Sequence, residues 1–137
     1  MIGKVIVDAS VVLEWLESGE KAQAALRLHH DIVTGTIAAW APDFLLSEVV
    51  NILLRKKHAS RKDTETFIDT LLTIGISFDD EPDIGTVRAI IDIADTYKTT
   101  TYDAKYIYLA KKLQCKLVSF DQKLLQITQW VTTPSYV

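Results

Sequence analysis

Four carboxylates stand where the sequence turns from apolar core to polar residue. Asp8 ends the run Val5-Ile6-Val7 in "KVIVDASVVLEWL", and Asp121 follows "KLVSF". Glu48 sits inside "PDFLLSEVVNILLR", and Asp103 inside "TTTYDAKYIYLA". A charge at the rim of a core is costly unless something pairs with it. The chemistry that needs such a set is divalent-metal binding. Carboxylates brought together repel one another and raise each other's pKa. A hard cation such as Mg²⁺ or Mn²⁺ reverses that balance through oxygen ligands, with several waters retained. Such an ion can activate a water and stabilise charge on a phosphoryl group during in-line displacement.

Each carboxylate also has a structural explanation. Asp121 can cap the short helix after it. Asp103 lies three residues after Thr100, the spacing of a capping box. Glu48 shares a polar stripe with Ser47, Asn51 and Arg55, as on a solvated helix face. Asp8 can simply end a strand. The residues alone leave both readings open.

The elements that must position these groups follow from periodicity and punctuation. Lys4–Val7 reads as a buried strand, and Val11–Glu17 and Glu20–Ile32 as helices broken at Ser18-Gly19. Thr36–Ala41 reads as a strand, with Pro42 opening a helix to about His58. Ser60, with Asp63 three residues on, predicts a helix start that runs through Ile74 and stops at Gly75. Ile76–Phe78 reads as a strand. Asp83–Tyr97 has Val87, Ile90, Ile91 and Ala94 at helical spacing. A further helix opens at "TTTYDAKYIYLAKKLQ", "KLVSF" is a strand, "DQKLLQI" a short helix and "WVTTPSYV" an extended end. Strands alternating with helices predict an α/β fold with a central parallel sheet covered on both faces.

Composition narrows the field further. The 137 residues, 48% hydrophobic and 24% charged, fit one globular domain spanning 1–137. Apolar runs fall short of the roughly 20 residues that a membrane span needs. The single cysteine, Cys115, permits no internal disulfide and suits a reducing, cytoplasmic setting. A net charge of −3 excludes a strongly basic nucleic-acid binder. It does hide a local cluster of Arg55, Lys56, Lys57, Arg61 and Lys62 around His58. That cluster is a candidate phosphate contact or a solvated helix end.

Other apparent motifs fail on detail. "HHD" at His29–Asp31 lacks a second ligand pair at zinc spacing. "DDEPD" at Asp79–Asp83 lacks the glycine and periodicity of a calcium loop. A haloacid-dehalogenase-type phosphatase needs a second aspartate where Ser10 stands. A receiver domain needs a phosphoacceptor aspartate after a central strand, and no Gly-rich phosphate loop is present. Trp15, Trp40 and Trp130, flanked by apolar residues, read as core packing ahead of interface.

Taken in order and spacing, "VIVDASVVLEWL", "PDFLLSEVVNILLR" and "TYDAKYIYLAKKLQCKLVSFDQKLL" resemble the acidic motifs of PIN-domain nucleases. The pattern is most similar to the VapC toxins of toxin–antitoxin pairs. The resemblance covers Val5 to about Trp130 and implies a sheet of about five parallel strands. By its motif positions, Asp8, Glu48, Asp103 and Asp121 are the metal-binding and catalytic acids. Ser10, Asn51 and Ser119 are the supporting polar residues; Ser119 stands where the family often has Thr.

The resemblance further implies one or two Mg²⁺ or Mn²⁺ ions and endonucleolytic cleavage of RNA to a 5′-phosphate and a 3′-hydroxyl. It implies a homodimer and a small antitoxin whose tail fills a groove. Two alternatives stay open. One is an RNA-processing nuclease without an antitoxin; the other is a non-catalytic RNA-binding or protein-interaction module of the same fold.

Overall fold

The computed structural model describes residues 3–79 and 83–136. Five parallel strands form one sheet in the order β3-β2-β1-β4-β5. They are β1 (Gly3–Val7), β2 (Ile37–Pro42), β3 (Ser77–Asp79), β4 (Lys116–Val118) and β5 (Val131–Thr132). Successive strand side chains point to opposite faces, and the sequence obeys that rule closely. Val5, Val7, Ala39, Ala41 and Val118 enter one core. Ile6 and Leu117 enter the other, where Trp40 packs against them.

The first face is covered by α1 (Ala9–Glu14), α2 (Glu20–Val33), α3 (Leu45–Asn51) and α4 (Arg61–Thr73). The second is covered by α5 (Ile84–Tyr97), α6 (Thr101–Leu113) and α7 (Gln122–Ile127). A parallel sheet buried on both sides needs apolar residues at nearly every strand position. Ile6, Val7, Leu117 and Val118 are indeed wholly buried.

Helix starts match the predicted caps. The Ser60 hydroxyl accepts from the Asp63 N–H at 3.0 Å, and the Thr100 hydroxyl accepts from the Asp103 N–H at 3.1 Å. Asp83 accepts from the Thr86 N–H at 2.7 Å, and that bond holds its carboxyl below the usual carboxylate range. Two helices end on non-glycine residues in the left-handed region: Lys98 after α5 and Gln114 after α6, each at φ 52°.

One helix expectation is corrected. The helix predicted from Pro42 to His58 is three pieces. Pro42 is the last residue of β2, beyond the final pairing with β1, where its missing N–H leaves no ladder bond unmade. Helix α3 then begins at Leu45, and Ile52–Lys56 form a π-helical turn, with the Lys57 N–H reaching back to the Ile52 carbonyl at 3.0 Å. Helix α5 forms where the apolar spacing predicts it; Ile90 and Ile93 are its buried line, while Val87 and Ile91 are exposed. The apolar arc of that helix is wider than the strip its neighbours cover.

Trp15, Trp40 and Trp130 are half-buried against the two cores. The Trp15 indole N–H donates to the Ala25 carbonyl at 2.8 Å, tying α1 to α2. After β5 the chain makes a short 3₁₀ turn, Pro134–Tyr136, where an extended end was predicted. No helix among the described residues is long and apolar enough to cross a membrane.

Candidate active site

Strand order places the site before any side chain is considered. From β1 the chain builds outward to β2 and β3, then returns to lay β4 and β5 along the other edge of β1. The reversal opens a crevice at the carboxyl ends of β1 and β4, where ligands bind in open α/β sheets. Asp8 follows β1 directly, and Ser119 follows β4 directly.

These two residues, far apart in sequence, are joined in the crevice. The Ser119 hydroxyl donates to Asp8 Oδ2 at 2.5 Å, and the Ser10 hydroxyl donates to Oδ1 at 2.6 Å. The Val11 N–H adds a third contact at 3.3 Å, so Asp8 is also the cap of α1. Asp8 is therefore both a capping residue and a group held in a site. Each hydroxyl is itself held by the backbone: the Phe120 N–H donates to Ser10 Oγ and the Asp121 N–H to Ser119 Oγ, each at 3.0 Å. Both serines thus present their own hydrogen to the carboxylate. Burial lifts the Asp8 carboxyl above the ordinary carboxylate range, against the pull of the two hydroxyls and of the Val11 and Ser10 N–H groups.

Glu48 does not stay with the polar stripe of its helix. Ser47, Asn51 and Arg55 are exposed, whereas Glu48 is half-buried and accepts from the Tyr106 hydroxyl at 3.2 Å. Burial raises its carboxyl first, and the charges of Asp8 and Asp103 raise it further. Asp103 accepts from the Thr99 hydroxyl at 3.1 Å. Tyr106 feels all three carboxylates, and burial together with their charges pushes its phenol far above the usual range. It is therefore a permanent donor. Asp8, Glu48 and Asp103 share one electrostatic field, with Tyr106 between them.

Asp121 stands at the edge of this group. Its carboxylate is exposed and caps α7, accepting from the N–H groups of Lys123 at 2.9 Å and Leu124 at 3.4 Å. Its link to the other acids runs through its backbone N–H and Ser119. Asn51 lies on the outer face of α3, where it lines a shallow cleft with Ser47, Leu54 and Arg55. No described hydrogen bond ties it to a carboxylate.

Among the described residues, no three His, Cys, Asp or Glu side chains lie close enough to enclose an ion directly. The donor set is nonetheless all oxygen, with the Asp8 and Glu48 carboxyls raised by burial and Glu48 further by the charges of its acidic neighbours. It fits a small hard cation held by one or two carboxylates with waters completing its shell.

The basic cluster is partly committed on the surface. Lys57 pairs with Glu17 at 2.9 Å and Arg61 with Glu65 at 2.8 Å; Arg55, Lys56 and Lys62 are exposed. Exposed pairs of this kind exchange readily for other partners.

Elsewhere, His29 packs edge-on to Trp15 at 5.0 Å, and burial lowers its pKa. Residues 80–82 of "DDEPD" lie outside the described residues, while Asp79 pairs with Lys112 at 3.2 Å. Cys115 is a half-buried free thiol whose pKa burial raises.

Sequence reasoning missed Tyr106 and Thr99. The signal for Tyr106 was available: a tyrosine on an apolar helix face, one turn after Asp103, needs a buried partner for its hydroxyl.

Comparison with known proteins bears on this geometry. The solved structure of PAE2754 from Pyrobaculum aerophilum superposes with a TM-score of 0.71 at 21% identity, covering 99% of this chain and 93% of that one. VapC20 of Mycobacterium tuberculosis, a toxin described as cleaving the sarcin–ricin loop, superposes at 0.66 with 14% identity, covering 91% of this chain and 97% of its own. These likenesses establish the fold. No curated protein matches the sequence. The family model of the PIN domain matches residues 5–129, nearly the whole sheet and every acid in the crevice. The chain belongs to the PIN domain family.

Proposed function

We propose that this PIN-family protein is a divalent-metal-dependent endoribonuclease and acts as the toxin of a toxin–antitoxin pair. The observation that carries the reading is Asp8, a buried carboxylate held by two hydroxyls at the β1/β4 crevice, in one field with Glu48 and Asp103. Asp8, Glu48, Asp103 and Asp121 would hold Mg²⁺ or Mn²⁺, one or two of them directly and the others through water. The ion, when bound, supplies an activated water and neutralises charge on the phosphoryl group.

The chain's own residues prepare that chemistry. Ser10 and Ser119 fix both oxygens of Asp8, Tyr106 turns Glu48 inward, and Thr99 restrains Asp103. The raised carboxyls must lose their protons to bind a cation, so affinity rises with pH. Arg55, Lys56 and Lys62, with Lys57 and Arg61 once released from their glutamates, are available to the RNA backbone. Asn51 and Arg55 line a cleft one turn along α3 from Glu48.

Partners are supported by two surfaces. An apolar groove of about 570 Å³, lined by Trp15, Leu16, Leu26, Phe67, Leu71 and Ile74, suits the apolar side of an antitoxin segment. Ile84, Val87 and Ile91, exposed at helical spacing on α5, suit a second copy of the chain. An RNA substrate and a free thiol together point to action in the cytoplasm.

Asp103→Asn tests the reading. The variant is expected to keep the wild-type circular dichroism and melting profile and to lose RNA cleavage in Mn²⁺ by 100-fold or more, of the order seen when a catalytic group is removed. Unchanged cleavage by the folded variant would overturn the assignment.

A further inference from the structure

Tyr102, the residue immediately before Asp103, is 61% exposed. Among the described side chains it is the one Phe, Tyr or Trp ring in that state. It is not loose. Its ring meets Phe44 edge-on at 5.4 Å and 78°, and Phe44 meets Tyr106 edge-on at 5.3 Å and 84°. The Lys105 ammonium lies 5.3 Å from the centre of the Phe44 ring. Tyr106 ends this row on Glu48, and Phe44 is itself one turn before Glu48 on the chain. An exposed ring, braced by Phe44 with the Lys105 ammonium on that bracing ring, therefore runs up to the rim of the carboxylate crevice.

A single exposed aliphatic residue needs no explanation, but this arrangement is of another kind. An unpaired nucleobase stacks on an aromatic face whatever its identity, and a neighbouring cation meets the phosphate that carries it. The Phe44 brace holds the Tyr102 ring before any ligand arrives, which lowers the ordering cost of binding. The cluster at Arg55–Lys62 has charge and one exposed imidazole, His58, but no aromatic ring packed edge-on against another, so it offers a backbone track ahead of a pre-set stacking face.

We propose that Tyr102, braced by Phe44, on whose ring Lys105 sits, is a stacking platform for an unpaired nucleobase of single-stranded RNA next to the scissile phosphate. This inference rests on the nuclease reading of the neighbouring carboxylates.

The test measures binding apart from cleavage, with the Asp8→Asn chain as background. Two fluorescein-labelled probes are compared by anisotropy in Mg²⁺: single-stranded oligoadenylate, and an abasic oligonucleotide of the same length and charge. Adding Tyr102→Leu is expected to weaken oligoadenylate binding by roughly 5- to 100-fold, the loss of one base–aromatic stack, and to leave the abasic probe unchanged. Tyr102→Trp is expected to restore the preference for bases.

Equal affinity of Tyr102→Leu and its parent for oligoadenylate would overturn the platform. So would an equal loss on both probes, which assigns the residue to charge or folding. A change in sedimentation of Tyr102→Leu would overturn it in favour of a protein contact. Cleavage by the wild type, measured alongside, separates these failures from failure of the nuclease reading: a platform that fails beside an active enzyme falls alone.

Discussion

Removing one oxygen atom at Tyr106 isolates what that side chain does for Glu48. In Tyr106→Phe the ring keeps its edge contact with Phe44, and only the donor at 3.2 Å from Glu48 is lost. Groups that orient a metal-binding carboxylate typically account for about 10- to 100-fold in affinity. Mn²⁺ affinity of the variant, read from a titrated melting shift, is expected to fall by roughly 10-fold, with the metal-free melting temperature little changed. Rescue is not expected from Tyr106→Leu, which removes the ring as well. This residue also shows where reading by residue type stops. Asp8, Glu48 and Asp103 stood out because carboxylates beside apolar runs demand explanation, whereas Ser10 and Ser119 entered only through the resemblance to PIN-domain motifs. Tyr106 hid inside an apolar helix face, and only the backbone path that brings α3 against α6 reveals its partner.

At the scale of elements, the left-handed ends of α5 and α6 carry an avoidable cost. Gln114 and Lys98 hold φ 52°, a region that a side chain disfavours by about 1–2 kcal/mol and glycine does not. Gln114→Gly is expected to raise stability by roughly 0.5–1 kcal/mol, part of the gain being offset by the freer unfolded chain. Denaturant unfolding at constant slope would show it as a higher midpoint.

The legible elements were those with local signals. Ser60 and Thr100 announced their helices by capping, and Lys4–Val7 and Lys116–Val118 announced theirs by continuous apolar residues. Pro42 misled because proline suits a first helical turn and a strand end equally well. Only the β3 pairing, Pro42 against Asp79, decides between them. The spacing of Val87, Ile90, Ile91 and Ala94 predicted α5 correctly; the neighbouring helix decides how much of that apolar face is covered.

For the molecule as a whole, the crevice sets a pH dependence opposite in sign to that of most paired acids. Asp8 and Glu48 have folded-state pKa values raised above those of the unfolded chain. Between the unfolded and folded values the folded chain holds more protons, so stability falls as pH rises through that window and stays lower above it. The metal-free protein is therefore expected to melt higher at mildly acidic than at neutral pH. Asp8→Asn should flatten that slope. Mn²⁺ at about 100 times its dissociation constant should add roughly 2.7 kcal/mol to the wild type and much less to the variant. A wild-type melting temperature that climbs steadily from acid to neutral pH without metal would contradict the raised carboxyls.

The bond between Ser119 and Asp8 spans 111 positions of the chain, and that span has a consequence for synthesis. β1 leaves the ribosome first, yet its central place in the sheet stays open on one side until β4 arrives. Such long-range pairing is slow to form, because the loop must close before the contact stabilises it. A nascent chain carries Asp8, Glu48 and Asp103 well before it carries the hydroxyl that completes the setting of Asp8. The oxygen cage of Asp8 is thus assembled late: it closes only once residue 119 has been synthesised and β4 has docked beside β1.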